Sequence, residues 1–239
     1  MKAGIMQPYF FPYTGHFALI AQTDQWIIFD QTQYTPKTWI NRNKVLHPDS
    51  GWNWIVAPLA NSSIHIKIKD AQVLNMQQTR ISTLGKLAHY RNKSPYYKNV
   101  VDIVEETFAL HIKEKSLVEL NARSLKNVCA YLDIPFKYKI CSELNIDFPS
   151  IMNPDDWALV ICKSEGYSEY VNPVGGRDLF DRQKYHAENV EIKFLETQSL
   201  AYTPKGYQYE KDLSILDALM WLPPADIRKH IESTSRLID

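Results

Sequence analysis

No long stretch of this sequence carries charge of one sign, and none is apolar enough to cross a bilayer. Lysine plus arginine number 27, as do aspartate plus glutamate, so the formal net charge is zero. A protein that binds nucleic acid non-specifically through phosphates carries a basic excess, and its absence argues against that class. The longest apolar runs, such as Trp157–Cys162, fall far short of the ~20 residues of a spanning helix. Cysteine is scarce: Cys129, Cys141 and Cys162 are widely spaced and form no C-x-x-C pair. That argues against a disulfide framework or zinc site and for free thiols in a reducing compartment. The N-terminus lacks a basic region followed by an apolar stretch, so no signal peptide and a cytoplasmic location are expected. His47, His65, His89, His111, His186 and His230 show no metal-ligand spacing, and no metal is expected.

Glycine is also sparse, at 8 of 239 residues, against 14 Tyr, 6 Trp and 13 Pro. Tyr and Trp join an apolar face to a hydrogen-bonding tip, which suits core positions and equally pockets for sugars or nucleotides. The length is enough to bury a core, and no repeat, low-complexity segment or linker interrupts it. One domain over 1–239 is expected, in three parts. Residues 1–75 form a βαβ unit plus hairpin, 76–135 a helical part, and 136–239 a C-terminal α/β part.

The apolar run Ala3–Met6 reads as a buried strand, Gly15–Thr23 as a short helix, and Trp26–Phe29 as a second strand. Strand, helix and strand within about thirty residues make a parallel βαβ unit. Such a unit sets Gln7–Pro12 and Asp30–Tyr34 along one sheet edge, where α/β proteins bind ligands. Trp52–Pro58 and the strictly alternating Ile64–Ile68 predict an antiparallel pair. Helices are predicted over Met76–Tyr90, Val100–Ile112 and from Ser116 to Leu132, the last opened by a Ser116–Glu119 capping box. Asn153 is the expected N-cap of a later helix that Gly166 ends. Val190–Leu195 is a strand, and Leu213–Leu222 is a helix broken by Pro223-Pro224. The fold class is α/β: a mostly parallel, Rossmann-like sheet flanked by helices, with a mid-chain helical insertion.

Chemistry concentrates in two segments. In Pro12-Tyr13-Thr14-Gly15-His16, a loop meets a helix start, with Gly15 permitting close backbone approach to phosphate. This segment resembles a degenerate H-x-G-H loop of nucleotidyltransferases and pantothenate synthetase-type ligases. Tyr13 stands at the first histidine position, and no K-M-S-K-S-like segment is present. Asp30 to Lys44 is dense in donors and acceptors and forms the other wall expected of the site. Gln7-Pro8-Tyr9-Phe10-Phe11-Pro12-Tyr13, Gly15, Asp24, Asp30, Gln33-Tyr34, Trp39-Ile40-Asn41-Arg42-Asn43 and Leu213-Ser214-Ile215-Leu216-Asp217 together resemble the WbqC-like family, from the first strand to the last helix.

The resemblance implies a role in O-antigen and related surface-polysaccharide clusters, with glycine transfer suggested for a member. Combined, the two resemblances imply an acyl or aminoacyl (glycine-like) transferase, or an ATP-dependent amide-forming ligase, acting on an amino sugar. His16, Asp30 and Arg42 are the catalytic candidates. His16 would face phosphate oxygens, Asp30 would orient a cation or accept an amine proton, and Arg42 would clamp a phosphate or carboxylate. The binding candidates are Gln7, Pro8, Tyr9, Pro12, Tyr13, Gly15, Gln33, Tyr34, Lys37, Trp39, Asn41 and Asn43. ATP is the candidate cofactor, a nucleotide-linked amino sugar the candidate substrate, and an aminoacyl-tRNA the one nucleic acid entertained, as donor. No membrane insertion is expected. The rival reading is a non-catalytic protein that binds a nucleotide sugar or a partner in the same pathway.

Overall fold

The structure, a computed structural model, describes residues 1–109 and 115–239. In chain order, β1 (Lys2–Met6), α1 (Thr14–Ala21) and β2 (Gln25–Ile28) form the expected opening unit. A hairpin of β3 (Arg42–Leu46) and β4 (Trp52–Val56) follows, then α2 (Met76–Leu87), α3 (Tyr97–Thr107) and α4 (Leu117–Leu132). The last part comprises β5 (Tyr138–Ile140), α5 (Asp156–Glu165), β6 (Glu169–Pro173), α6 (Arg182–Ala187), β7 (Glu191–Glu196), α7 (Ile215–Trp221), α8 (Pro224–Thr234) and β8 (Arg236–Ile238).

The main sheet has the order β5-β2-β1-β6-β7-β8, parallel throughout except for the antiparallel edge strand β8. It is the α/β fold expected. β1 pairs with both β2 and β6, so the strand order reverses beside it, and the crevice beyond the carboxyl ends of β1 and β6 is the natural ligand position. Alternation along β1 and β2 builds both cores. Ala3, Ile5 and Ile27 face a smaller core with Ile161, Cys162 and Phe194. Trp26 and Ile28 face a larger one with Phe17, Leu120, Val128 and Leu219. Gly4 is the residue of β1 opposite Trp26, and a Cβ there would lie 2.5 Å from the indole.

Several expectations need correction. Ile64–Ile68 is not a strand; it makes only an isolated bridge, Gln33 with Lys67, and runs into a 3-10 turn at Ile68–Asp70. The partner of β4 is β3, joined through a turn at Gly51 (φ 67°). The mixed polar pattern Arg-Asn-Lys-Val-Leu hid β3, because Asn43 is buried by bonding rather than by apolarity. Asn153 does not cap α5: its backbone N–H donates to the Asp156 carboxylate, and the N-cap residue is Asp155. Pro223-Pro224 ends α7 yet also starts α8, with Pro224 in the first turn where its missing N–H costs nothing. The tail of the helix expected to reach Ile112, and His111, lie outside the described residues. The Ser116 cap holds, its hydroxyl accepting from Glu119 N–H at 3.3 Å, and Gly166 ends α5 with φ 72°.

Candidate functional site

The loop from Gln7 to Tyr13 crosses the carboxyl end of β1 and is fastened along its length. Pro8 C=O accepts from Asn121 Nδ2 at 2.8 Å, and the same amide nitrogen donates to Ile40 C=O at 2.8 Å. Phe10 N–H donates to Trp39 C=O at 2.9 Å. Asn43 Nδ2 donates to the carbonyls of Phe10 and Phe11 at 3.2 and 2.8 Å. Ser214 Oγ donates to Phe11 C=O at 2.7 Å, and Ile215 N–H to Pro12 C=O at 2.8 Å. Phe11 takes φ 42°, a left-handed conformation unfavourable to a bulky residue that these bonds offset. The Q-P-Y-F-F-P-Y, W-I-N-R-N and L-S-I-L-D stretches are thus one assembly: the second and third hold the first in shape.

Two cavities open on this loop. One of about 210 Å³ is lined by Tyr9, Pro12, Tyr13, Trp39, Asn43 and Asp212. The other, about 290 Å³, lies at the strand-order reversal. The start of α1 (Thr14, Gly15), the end of β6 (Pro173 to Gly175) and the residues after β7 (Thr197 to Leu200) surround it. Tyr13 and Asp212 belong to both. A larger groove of about 540 Å³, between α6 and β7, shares no lining residue with them and lies at the amino end of β7, away from the reversal.

Tyr13 separates the chambers by lying over Gly15, where an added Cβ would stand 2.7 Å from Tyr13 Cζ. Gly15 leaves room for the ring covering it, which is a different reason from the expected phosphate approach. Tyr13 is the N-cap residue of α1 but gives no side-chain cap, and Thr14 and Gly15 line the larger chamber, which sets the positive end of the helix beside it. Burial first, and the Asp212 charge second, raise the Tyr13 phenol above its ordinary pKa; burial and Tyr13 do the same for Tyr9. Both are neutral hydroxyls at physiological pH. Asp212 has φ 52°, and the exposed Lys211 ammonium lies 3.7 Å from its carboxylate; no lining residue of either chamber is itself a lysine, arginine or histidine.

Of the residues expected at the site, Tyr9, Pro12, Tyr13, Gly15, Trp39 and Asn43 come together here. Others do not line either cavity. His16 is buried against Tyr9 and Trp26, with ring centroids 5.5 and 5.1 Å away. Desolvation pushes its pKa down to about 3, and Nε2 has no partner. Asp30 is buried and accepts from Ser142 N–H and Oγ at 2.9 and 2.6 Å, which ties β2 to the end of β5. Desolvation outweighs those bonds and raises its pKa. Gln7 donates to Thr32 Oγ1 at 3.1 Å, and Gln33 to Ile64 C=O. Pro8 and Tyr34 are buried, and Asn41 donates to Ala57 C=O at 3.1 Å. Arg42 stacks on Trp54 and donates to the carbonyl of the exposed Lys37.

Sequence reasoning missed Asp212, Asn121 and the segment after β7. Asp212 sits in a polar stretch without periodicity. Asn121 is a polar residue within an apolar helical pattern, and that was the available signal, since a buried amide must find partners.

A family model described as the WbqC-like protein family matches residues 7–229. The chain belongs to that family. The match begins at Gln7, the first residue of the fastened loop, and includes every residue that lines the two chambers. An uncharacterized protein of Mycobacterium tuberculosis is 25% identical to this WbqC-like chain over 225 residues, which covers 91% of the chain and 92% of the relative. No solved structure matches it. Among the described residues, no helix is long and apolar enough to cross a membrane.

Proposed function

We propose that this WbqC-like protein transfers a small acyl or aminoacyl group to the amine of a sugar, as in the synthesis of a surface polysaccharide such as O-antigen. The observation that carries the reading is the smaller chamber: three aromatic side chains, Tyr9, Tyr13 and Trp39, with one carboxylate, Asp212, and no cation among its lining residues. Aromatic faces stack on the C–H face of a sugar ring, and a carboxylate beside them selects an ammonium over a hydroxyl or an amide. Asp212 also borders the larger chamber, where the start of α1 suits the anionic part of an activated donor. In the transfer, the bound ammonium first gives one proton to Asp212, which passes it to solvent. The free amine nitrogen then bonds to the donor's carbonyl carbon, the bond to the leaving group breaks, and the nitrogen's second proton passes to Asp212.

Binding should therefore follow the amine. Calorimetric titration with glucosamine, glucose and N-acetylglucosamine is expected to show binding of the first alone, lost in Asp212→Asn. Equal binding of all three overturns the reading. The non-catalytic alternative draws support from the position of His16 and Asp30, both internally engaged or buried. It predicts ligand binding with no amide formed when activated glycine donors are supplied.

A further inference from the structure

The outer face of the β3–β4 hairpin carries a feature the chambers do not use. Arg42 and Lys44 alternate on β3, and Trp54 is the cross-strand neighbour of Lys44. Trp39 and Trp52 remain 42% and 39% exposed, costly for such large apolar surfaces unless something covers them. The Lys44 ammonium lies 3.9 Å from the Trp52 ring centroid and 5.4 and 5.7 Å from those of Trp54 and Trp39. The Arg42 guanidinium lies 3.9 Å over Trp54, and its Nε is buried without a partner. Among the described residues, Lys37, Arg42 and Lys44 enter no ion pair. Trp39 belongs both to this cluster and to the wall of the smaller chamber.

We infer that this face binds a nucleoside diphosphate, the carrier of the sugar whose ring enters the chamber past Trp39; the inference rests on the amino-sugar reading above. A cation held over an indole keeps its remaining N–H donors toward solvent, ready for phosphate oxygens, while the exposed indoles offer faces for a base. Two cations on one face of β3 can flank a diphosphate from either side, and Arg suits the bidentate role. The chambers carry the opposite chemistry: Asp212 and aromatic rings line them with no cation among the lining residues, and the exposed Lys211 reaches Asp212 only from outside the linings. The arrangement orders a nucleotide sugar: phosphates on the hairpin, amine at Asp212.

Calorimetry with uridine diphosphate and adenosine diphosphate tests the site, with uridine and inorganic pyrophosphate separating stacking from charge. Both diphosphates are expected to bind, more tightly than either fragment and less tightly as ionic strength rises. Lys44→Gln, at a half-buried position, and Trp52→Ala, at an exposed one, are each expected to weaken binding about tenfold. Absence of diphosphate binding, or affinity unchanged in both variants, overturns the inference. Pyrophosphate binding as tightly as the diphosphates also overturns it. Glucosamine binding that depends on Asp212 is read separately. Its loss with diphosphate binding intact removes the functional reading and leaves this site, whereas the converse removes the site and leaves the function.

Discussion

His16 is packed beneath Tyr9 and Trp26, and burial holds it neutral with a pKa of about 3. Its native form binds fewer protons than the unfolded chain between pH 6.5 and about 3. Its contribution is present above 6.5 and lost as pH falls, by about 5 kcal/mol in full. Asp217 has the opposite sign. It is fully buried, accepts from the Tyr90 and Tyr202 hydroxyls and from Leu46 N–H, and desolvation still raises its pKa to about 6. Its relative stabilisation is present below 3.8 and lost as pH rises through about 6, worth about 3 kcal/mol. Urea unfolding across pH 3.5–8 (about half-unit steps) should show a shallower acid loss in His16→Phe and a steeper one in Asp217→Asn. Parallel profiles for wild type and both variants would contradict this. Gly15→Ala belongs to the same scale. The new methyl displaces the Tyr13 ring into the chambers, so sugar binding should fall while stability stays within about 1 kcal/mol, since Ala also favours the helix. Thermal melts and calorimetry read the two separately.

At the scale of elements, the fastened loop is the structural centre of the site. Asn43 and Ser214 converge on one acceptor, the Phe11 carbonyl. Asn43→Ala bares the buried Phe10 carbonyl and leaves Phe11 C=O to Ser214 alone, and should cost about 1–3 kcal/mol; Ser214→Ala should cost about 1 kcal/mol. Because the acceptor is shared, the double variant should depart from additivity by about 0.5 kcal/mol or more in a double-mutant cycle. Strict additivity would mean that the two donors act independently. The hairpin and α7 were legible to different degrees. α7 shows in its run of apolar residues, whereas β3 presents polar side chains on both faces. Asn43 turns inward to the loop, and Arg42 and Lys44 turn outward onto tryptophans. Alternation of apolar residues cannot reveal a strand whose inward side chain is an amide bonded to another segment.

For the molecule as a whole, the two cores lie on opposite faces of one sheet, each built from alternate residues of β1 and β2. Unfolding one core exposes half of every shared strand, so tryptophan fluorescence, with Trp26 in one core and Trp157 packed against Phe29 and Phe148 on the other, should report a single transition coincident with far-UV circular dichroism. Gly4→Ala strikes the indole across β1 and β2 and should destabilise by about 1–3 kcal/mol; a companion Trp26→Leu should recover part of that loss. The sequence by itself determined the βαβ opening, the α/β class and the aromatic loop after β1, because hydrophobic periodicity and proline act locally. It also marked Trp39 and Asn43 as companions of that loop. Only the tertiary structure decided that His16 and Asp30 turn away from the chambers, that Asp212 stands in both, and that the Q-P-Y-F-F-P-Y loop is the meeting point of the assembly. The direction in which a polar side chain points depends on which distant carbonyl or ring lies within hydrogen-bonding or stacking reach, and sequence spacing does not encode that. The same loop reads locally as a phosphate turn, and its neighbours make it the wall between two chambers.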